Sequence, residues 1–154
     1  MTDFFEEHDW KNFPELTNAQ MAILYFQSPH KQITQNFNAK ITKVHDGDTV
    51  TLKCDFRNFE FPMRLSYIDA PELKTGIAGQ QSKERLKQLI DREEVYILIN
   101  QNNRVEKWGR LLGEIMSRGT NINQEMVDEG FAVLFGNRQE GEIPDFNKNL
   151  ENLI

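Results

Sequence analysis

Met63-Arg64-Leu65-Ser66-Tyr67-Ile68-Asp69-Ala70-Pro71-Glu72 is the stretch from which the fold can be read. Its alternation begins upstream: Phe59, Phe61, Met63, Leu65 and Tyr67 are apolar, and Glu60, Arg64 and Ser66 stand between them. A period of two over that length predicts a strand with one buried face and one polar face. Pro71 cannot donate to a ladder and pushes Ala70 into an extended conformation, so the strand is expected to end there. Arg64 and Asp69 are separated by an odd interval, and on a straight strand they point to opposite faces. They share a site only if the chain turns near Asp69, and Pro71 is placed to enforce that turn. An arginine and two acids gathered at a strand end make a candidate catalytic cluster.

Working outward, Ala39–Val44 alternates as a strand, His45-Asp46-Gly47-Asp48 forms a tight turn, and Thr49–Phe56 is a second strand with Val50, Leu52 and Cys54 on one face. Arg57-Asn58 turns the chain into the strand described above. After a loop at 73–78, Leu86, Leu89 and Ile90 fall at helical spacing within a helix from Gln80 to Arg92, with Lys83, Glu84, Arg85 and Lys87 on its solvated face. Glu94–Asn100 is a fourth strand, Asn102–Gly109 a polar loop, and Arg110–Ser117 a fifth strand. Asn121–Glu129 is a short helix with Asn121 as N-cap and Gly130 past its end. Phe131–Phe135 returns to the core. Five short strands with a helix between the third and fourth are the element order of an OB-fold barrel. The expected class is α+β, mostly β: a five-stranded OB-fold barrel with packed helices and an N-terminal helical extension.

Three regions are expected. Residues 1–37 form an extension with one helix at about 17–27, which Thr17 and Gln20 open at capping-box spacing and Ser28-Pro29 ends. Residues 38–136 form the barrel domain. Residues 137–154 form a polar tail, with Asp145 capping a final short helix to Leu153. The 154 residues carry a net charge of −6, most of it in the flanks. Such a chain lacks the basic footprint of a tight nucleic-acid binder, so any nucleic acid is expected to bind weakly through local charge. The longest apolar run, Met21–Phe26, is too short to span a membrane, and Met1–Glu7 has no leader pattern. Cys54 is the only cysteine and forms no internal disulfide. A cytoplasmic location is expected, and the sequence indicates no oligomeric state.

Four clusters carry polar chemistry: Asp46-Gly47-Asp48-Thr49, Arg64, Asp69-Ala70-Pro71-Glu72 and Lys107-Trp108-Gly109-Arg110. Each one alone is an ordinary turn, surface charge or loop. Together they meet the needs of phosphodiester hydrolysis: carboxylates for a hard cation, a carboxylate to activate water, and arginines for the charge of the transition state. Arginine suits phosphate because its planar fork grips two oxygens. No Cys/His set for zinc is present.

From about Ala39 to Phe135 the chain resembles the staphylococcal nuclease (thermonuclease) family, on Asp46-Gly47-Asp48-Thr49, Arg64-Leu65, Ile68-Asp69-Ala70-Pro71-Glu72, Gly109-Arg110-Leu111, and Asn123 through Glu129-Gly130. The resemblance implies an OB-fold barrel and hydrolysis of DNA or RNA with Ca²⁺, Mg²⁺ suiting the same donors. By position it implies that Asp48 and Asp69 ligate the cation with the backbone carbonyl of Ala70, and that Thr49 and Asp46 stand just behind them. Glu72 is implied as general base, Arg64 as the grip on the scissile phosphate, and Arg110 as its holder while the 5′ oxygen leaves. Lys107 and Trp108 are implied at the substrate. Trp108 stands where the family's best-known member has a tyrosine, and Phe135-Gly136-Asn137 stand where tyrosines line the nucleotide pocket, so base contacts are expected to differ. Residues 1–37 lie outside the resemblance, and their removal is expected to leave the chemistry intact. The alternative is a non-catalytic OB-type module that binds nucleic acid or protein.

Overall fold

β1 (Phe37–Asp46) is the longest strand of the computed structural model, which describes residues 8–135. Its buried positions run Phe37, Ala39, Ile41 and then Val44, so the inward phase changes partway along. The register against β2 (Thr49–Lys53) explains the change. Ile41 faces Leu52 while Lys43 faces Thr51, an irregularity that inserts one residue and turns the strand's other face inward. β3 (Phe61–Leu65) pairs antiparallel with β2. β5 (Glu94–Leu98) pairs with the other edge of β1, and β6 (Leu111–Ser117) with β5. β6 then runs parallel to β3, with Met63 facing Leu111 and Arg64 facing Leu112, and this pairing closes five strands into a barrel. Closure satisfies strand edges that would otherwise stay open.

Two short pairings finish the sheets. β4 (Ile68–Asp69) pairs with β8 (Val133–Leu134), and β7 (Thr120–Asn121) folds back on β6. The barrel holds Ile41, Val50, Leu52, Phe61, Met63, Leu65, Ile97, Leu111 and Ile115 out of water. Burial of each is worth about 1.5–3 kcal/mol.

α2 (Ile77–Ile90) adds Leu86 and Ile90 to the core, and α3 (Ile122–Asp128) adds Ile122 and Met126. The Asn121 side chain caps α3 by accepting from the Gln124 N–H at 3.1 Å. α2 begins three residues before the expected Gln80, because Gly76 with φ 101° marks its start and Ile77 already has helical geometry. The second strand ends at Lys53 rather than Phe56, since Asp55-Phe56 form a turn. The final helix expected from Asp145 lies outside the described residues.

Residues 8–36 lie along the barrel. α1 (Asn18–Leu24) opens with a complete capping box between Thr17 and Gln20, and one 3₁₀ turn, Tyr25–Gln27, extends it. α1 itself buries no residue. The segments on either side of it do the attaching. Glu15 is buried and accepts from Arg57 Nη1 at 2.7 Å and from the Ile33 N–H at 2.8 Å. Gln32 accepts from the Leu16 N–H at 2.5 Å and donates to the Pro14 carbonyl at 2.9 Å, joining the two arms of this segment.

Candidate active site

The polar face expected on the third strand is not solvated, because Arg64 and Ser66 are both buried. A buried guanidinium requires partners for its charge and its N–H groups. Arg64 Nη2 donates to Asp48 Oδ2 at 3.2 Å and to Asp69 Oδ1 at 2.9 Å, while Nη1 donates to the carbonyls of Leu65 and Ile68 at 3.2 and 3.0 Å. Two carboxylates, Asp48 from the turn before β2 and Asp69 from β4, thus converge on one nitrogen.

The odd spacing of Arg64 and Asp69 is resolved by a turn, and the turn lies upstream of where the proline suggests. The chain reverses at Ser66-Tyr67, and Tyr67 takes φ 65°, a conformation unusual for a bulky residue. Pro71 follows β4 and does not make that reversal. Surrounding bonds hold the turn in place. The Ser66 N–H donates to the Gly113 carbonyl at 2.9 Å, the Phe135 N–H donates to the Tyr67 carbonyl at 2.7 Å, and the Asn100 amide bonds the Tyr67 hydroxyl. Asn123, buried on α3, donates to the carbonyls of Ser66 at 2.8 Å and Gly113 at 3.2 Å and accepts from the Ile115 N–H at 3.1 Å.

Asp48 comes from the turn between β1 and β2. Its Oδ2 also accepts from the Ala70 N–H at 2.9 Å, and its Oδ1 accepts from the Thr49 hydroxyl at 3.1 Å. Asp46 accepts from the Asp48 N–H at 3.0 Å. Burial, and after it the Asp48 charge, pushes the Asp46 carboxyl up to about 7. Gly47 sits between these acids where a Cβ would overlap Ser82 Oγ of α2 and lie 2.7 Å from Ala70 Cβ. Glycine there lets the turn close against α2.

Arg110 precedes β6. Since Leu112 faces Arg64 across the parallel pair, Arg110 belongs to the same face of the neighbouring strand, two positions earlier. Its guanidinium is held by Glu106, whose Oε1 accepts from Nε at 2.5 Å and Oε2 from Nη2 at 3.2 Å. Glu106 is buried and Arg110 is partly open. Trp108 is 38% exposed on the same loop, with Lys107 Nζ 5.6 Å from its ring centre. Lys43, Lys83 and Arg110 all push the His45 ring's pKa down, after burial, so several cations lie along this side of the barrel.

The structure therefore brings Asp46, Asp48, Thr49, Arg64, Asp69 and Ala70 into one bonded cluster. Arg110, Lys107 and Trp108 form a second group on the adjoining loop. The Glu72 side chain is bonded to neither. Its side chain is 59% exposed and paired with Lys74 at 3.1 Å. Among the described residues no group of three or more His, Cys, Asp and Glu side chains is arranged around one point as a metal cage. What is present is a pair of hard carboxylates sharing a cationic partner, beside a peptide fixed at Ala70. Donors of that kind suit a hard divalent ion that keeps several waters. Glu106 and Asn123 carry positioning roles that sequence reasoning did not assign. An acid four residues before Arg110 is a usable signal for Glu106, whereas Asn123 stands out only as the start of a family motif, since its contacts are long-range.

The profile of the family described as staphylococcal nuclease homologue matches residues 62–152. The chain belongs to the staphylococcal nuclease family. This member is 36% identical over 113 residues to a Haemophilus influenzae protein named an uncharacterized endonuclease, an alignment covering 73% of this chain and 60% of the relative. It is 24% identical over 111 residues to Bacillus subtilis endonuclease YncB, covering 68% and 52%. It is 27% identical over 92 residues to the B. subtilis SPbeta prophage-derived endonuclease YokF, covering 56% and 30%. The chain spans between 30% and 60% of the length of these relatives. The family match begins within β3, while the barrel of this nuclease-family chain begins at Phe37. Among the described residues, no helix is long and apolar enough to cross a membrane.

Proposed function

We propose that this chain is a nuclease that hydrolyses phosphodiester bonds of DNA or RNA with a divalent cation, Ca²⁺ being the expected ion and Mg²⁺ able to use the same oxygen donors. The observation that carries this reading is the buried Arg64 guanidinium shared by Asp48 and Asp69. A buried cation between two acids from separate segments of the chain is costly to assemble, and a phosphate site is the chemistry it suits.

Asp48, Asp69 and the Ala70 carbonyl are the groups that would hold the cation, with Thr49 and Asp46 tuning them. When bound, such an ion polarises the phosphoryl group and eases deprotonation of water. Arg64 is the group to grip the scissile phosphate with its planar fork, which requires Nη2 to give up its bonds to Asp48 and Asp69 as the phosphate enters. Glu72 takes the proton from the attacking water as the new P–O bond forms and the bond to the 5′ oxygen breaks. Its exposed pair with Lys74 is worth little, so little opposes its turning toward the phosphate. Arg110, aimed by Glu106, stabilises the charge gathering on the phosphoryl and leaving oxygens. Lys107 meets the backbone and Trp108 offers a ring for base stacking. With a net charge of −6, binding is expected to be weak and salt-sensitive.

The test is incubation of the purified chain with single- and double-stranded DNA and with RNA, in Ca²⁺, in Mg²⁺ and in chelator. Cleavage should require the cation and fall about 10²–10³-fold in Asp48→Ala, Arg64→Ala and Arg110→Ala. Cleavage indifferent to chelator, or a full rate in Asp48→Ala, overturns the mechanism. Binding without cleavage under every condition makes the chain a non-catalytic module.

A further inference from the structure

The segment before β1 touches the barrel beside the loop that carries Arg110. The Glu15 N–H donates to the Gly109 carbonyl at 2.9 Å. A Cβ on Gly109, whose φ is 111°, would lie 2.9 Å from the Glu15 carbonyl oxygen and 3.0 Å from Phe13 Cβ. At the start of the same loop, buried Arg104 donates from Nε to the Ile33 carbonyl at 2.8 Å and from Nη1 to Asn18 Oδ1 at 2.9 Å and the Leu16 carbonyl at 3.2 Å. The loop's own bonds then reach the arginine. The Gly109 N–H donates to the Glu106 carbonyl, the Glu106 N–H to the Arg110 carbonyl, and the Leu112 N–H to the Arg104 carbonyl, each at 2.8 Å.

We propose that Phe13–Ile33 is a positioning strap for Arg110, holding the Arg104–Gly109 loop in one geometry through Glu15, Gly109 and Arg104. The inference rests on the proposed role of Arg110 and reverses the expectation that residues 1–37 are dispensable for chemistry. The buried Glu15–Arg57 pair supports it. An ion pair of this kind adds little net stability over apolar packing, and Arg57 Nε has no partner among the described residues. What the pair does is fix the place of the Glu15 backbone, which is the surface against which Gly109 closes. Misplacement of a phosphate-holding group by about 1 Å can cost about a hundredfold in rate.

Two variants of the full chain test this without touching the site: Glu15→Gln, and Gln32→Leu, which loosens the strap without touching Arg57. Each should speed amide exchange at Glu106, Gly109 and Leu112 about tenfold while Ile41, whose N–H is bonded within the barrel region, keeps its protection. Each should lower kcat about tenfold with KM within about twofold. In an Arg110→Ala background the same changes should cost less than about twofold, because the strap acts through that arginine. Equal losses in both backgrounds, or loop amides as protected as in the parent, overturn the strap. Should Glu15→Gln unfold the barrel, seen as lost Ile41 protection, Gln32→Leu decides. A parent chain with no cleavage overturns the nuclease reading instead, and amide exchange alone then decides whether the strap holds the loop.

Discussion

Asn123→Ala isolates the bond set that makes the Ser66-Tyr67 turn. The amide reaches three backbone groups: the carbonyls of Ser66 and Gly113 and the N–H of Ile115. Gly113 keeps the Ser66 N–H as a partner at 2.9 Å, so its loss is partial. The Ser66 carbonyl and the Ile115 N–H each lose their Asn123 partner beside buried residues. At about 1–3 kcal/mol for each orphaned group, with a water in the vacated space recovering part, destabilisation should be about 2–4 kcal/mol. For a urea slope of about 2 kcal/mol/M, the midpoint should fall by about 1–2 M with the slope unchanged. Urea titration followed by far-UV circular dichroism measures this. Gln124→Ala is the control, since that side chain is exposed and, among the described residues, bonded only to Asp128, and it should stay within about 0.5 kcal/mol. The folded fraction of Asn123→Ala should also cleave more slowly, because the turn brings Asp69 to Arg64. A midpoint within about 0.3 M of the parent would refute the assignment of these bonds as the turn's support.

Glu106→Gln keeps the packing but removes the charge that holds Arg110, so kcat should fall about tenfold or more with little change in melting temperature; a parent-like kcat counts against Glu106 as the aiming group. Gly109→Ala meets both an unfavourable φ and the Glu15 carbonyl, and thermal or urea unfolding should register about 1–3 kcal/mol of destabilisation. Ca²⁺ at about 100 times its Kd should stabilise the parent by about 2.7 kcal/mol, read as a rise in melting temperature, and should leave an Asp48→Asn/Asp69→Asn double variant unmoved. A shift retained in the double variant removes these acids as the cation's ligands.

Local periodicity made most of the barrel legible. The alternation in β2, β3 and β5 names the apolar residues that face inward, and the Thr17 and Asn121 caps mark helix starts through chemistry confined to four residues. The turn was less legible. Pro71 is the loudest local signal near Asp69, yet the reversal lies at Ser66-Tyr67, where no glycine or proline announces it and where Asn123 and Phe135 supply the support from far along the chain. The bulge after Ile41 was hidden for a similar reason, since it exists only relative to β2. Charge pairing was the least legible feature. Glu15 and Arg57 look like surface residues by type, and only the fold makes them partners. Glu72, easy to notice beside a proline, remains outside the bonded cluster.

The parallel pairing of β3 with β6 has a consequence for how this chain acquires its chemistry. Every other barrel contact joins strands that run antiparallel, and β1, β2 and β3 follow one another through short turns. β3 must wait for a helix, a strand and a long loop to be threaded before β6 can lie beside it. Contacts that close such a long loop carry a larger entropic cost and tend to form late. The seam between Met63–Leu65 and Leu111–Gly113 is also where Arg64 and Arg110 come onto one face. A chain stalled before that seam closes would already have Asp48 brought beside Arg64 by the β2–β3 pairing but would lack Arg110 beside them. Recovery of cleavage during refolding should therefore lag behind recovery of β-structure.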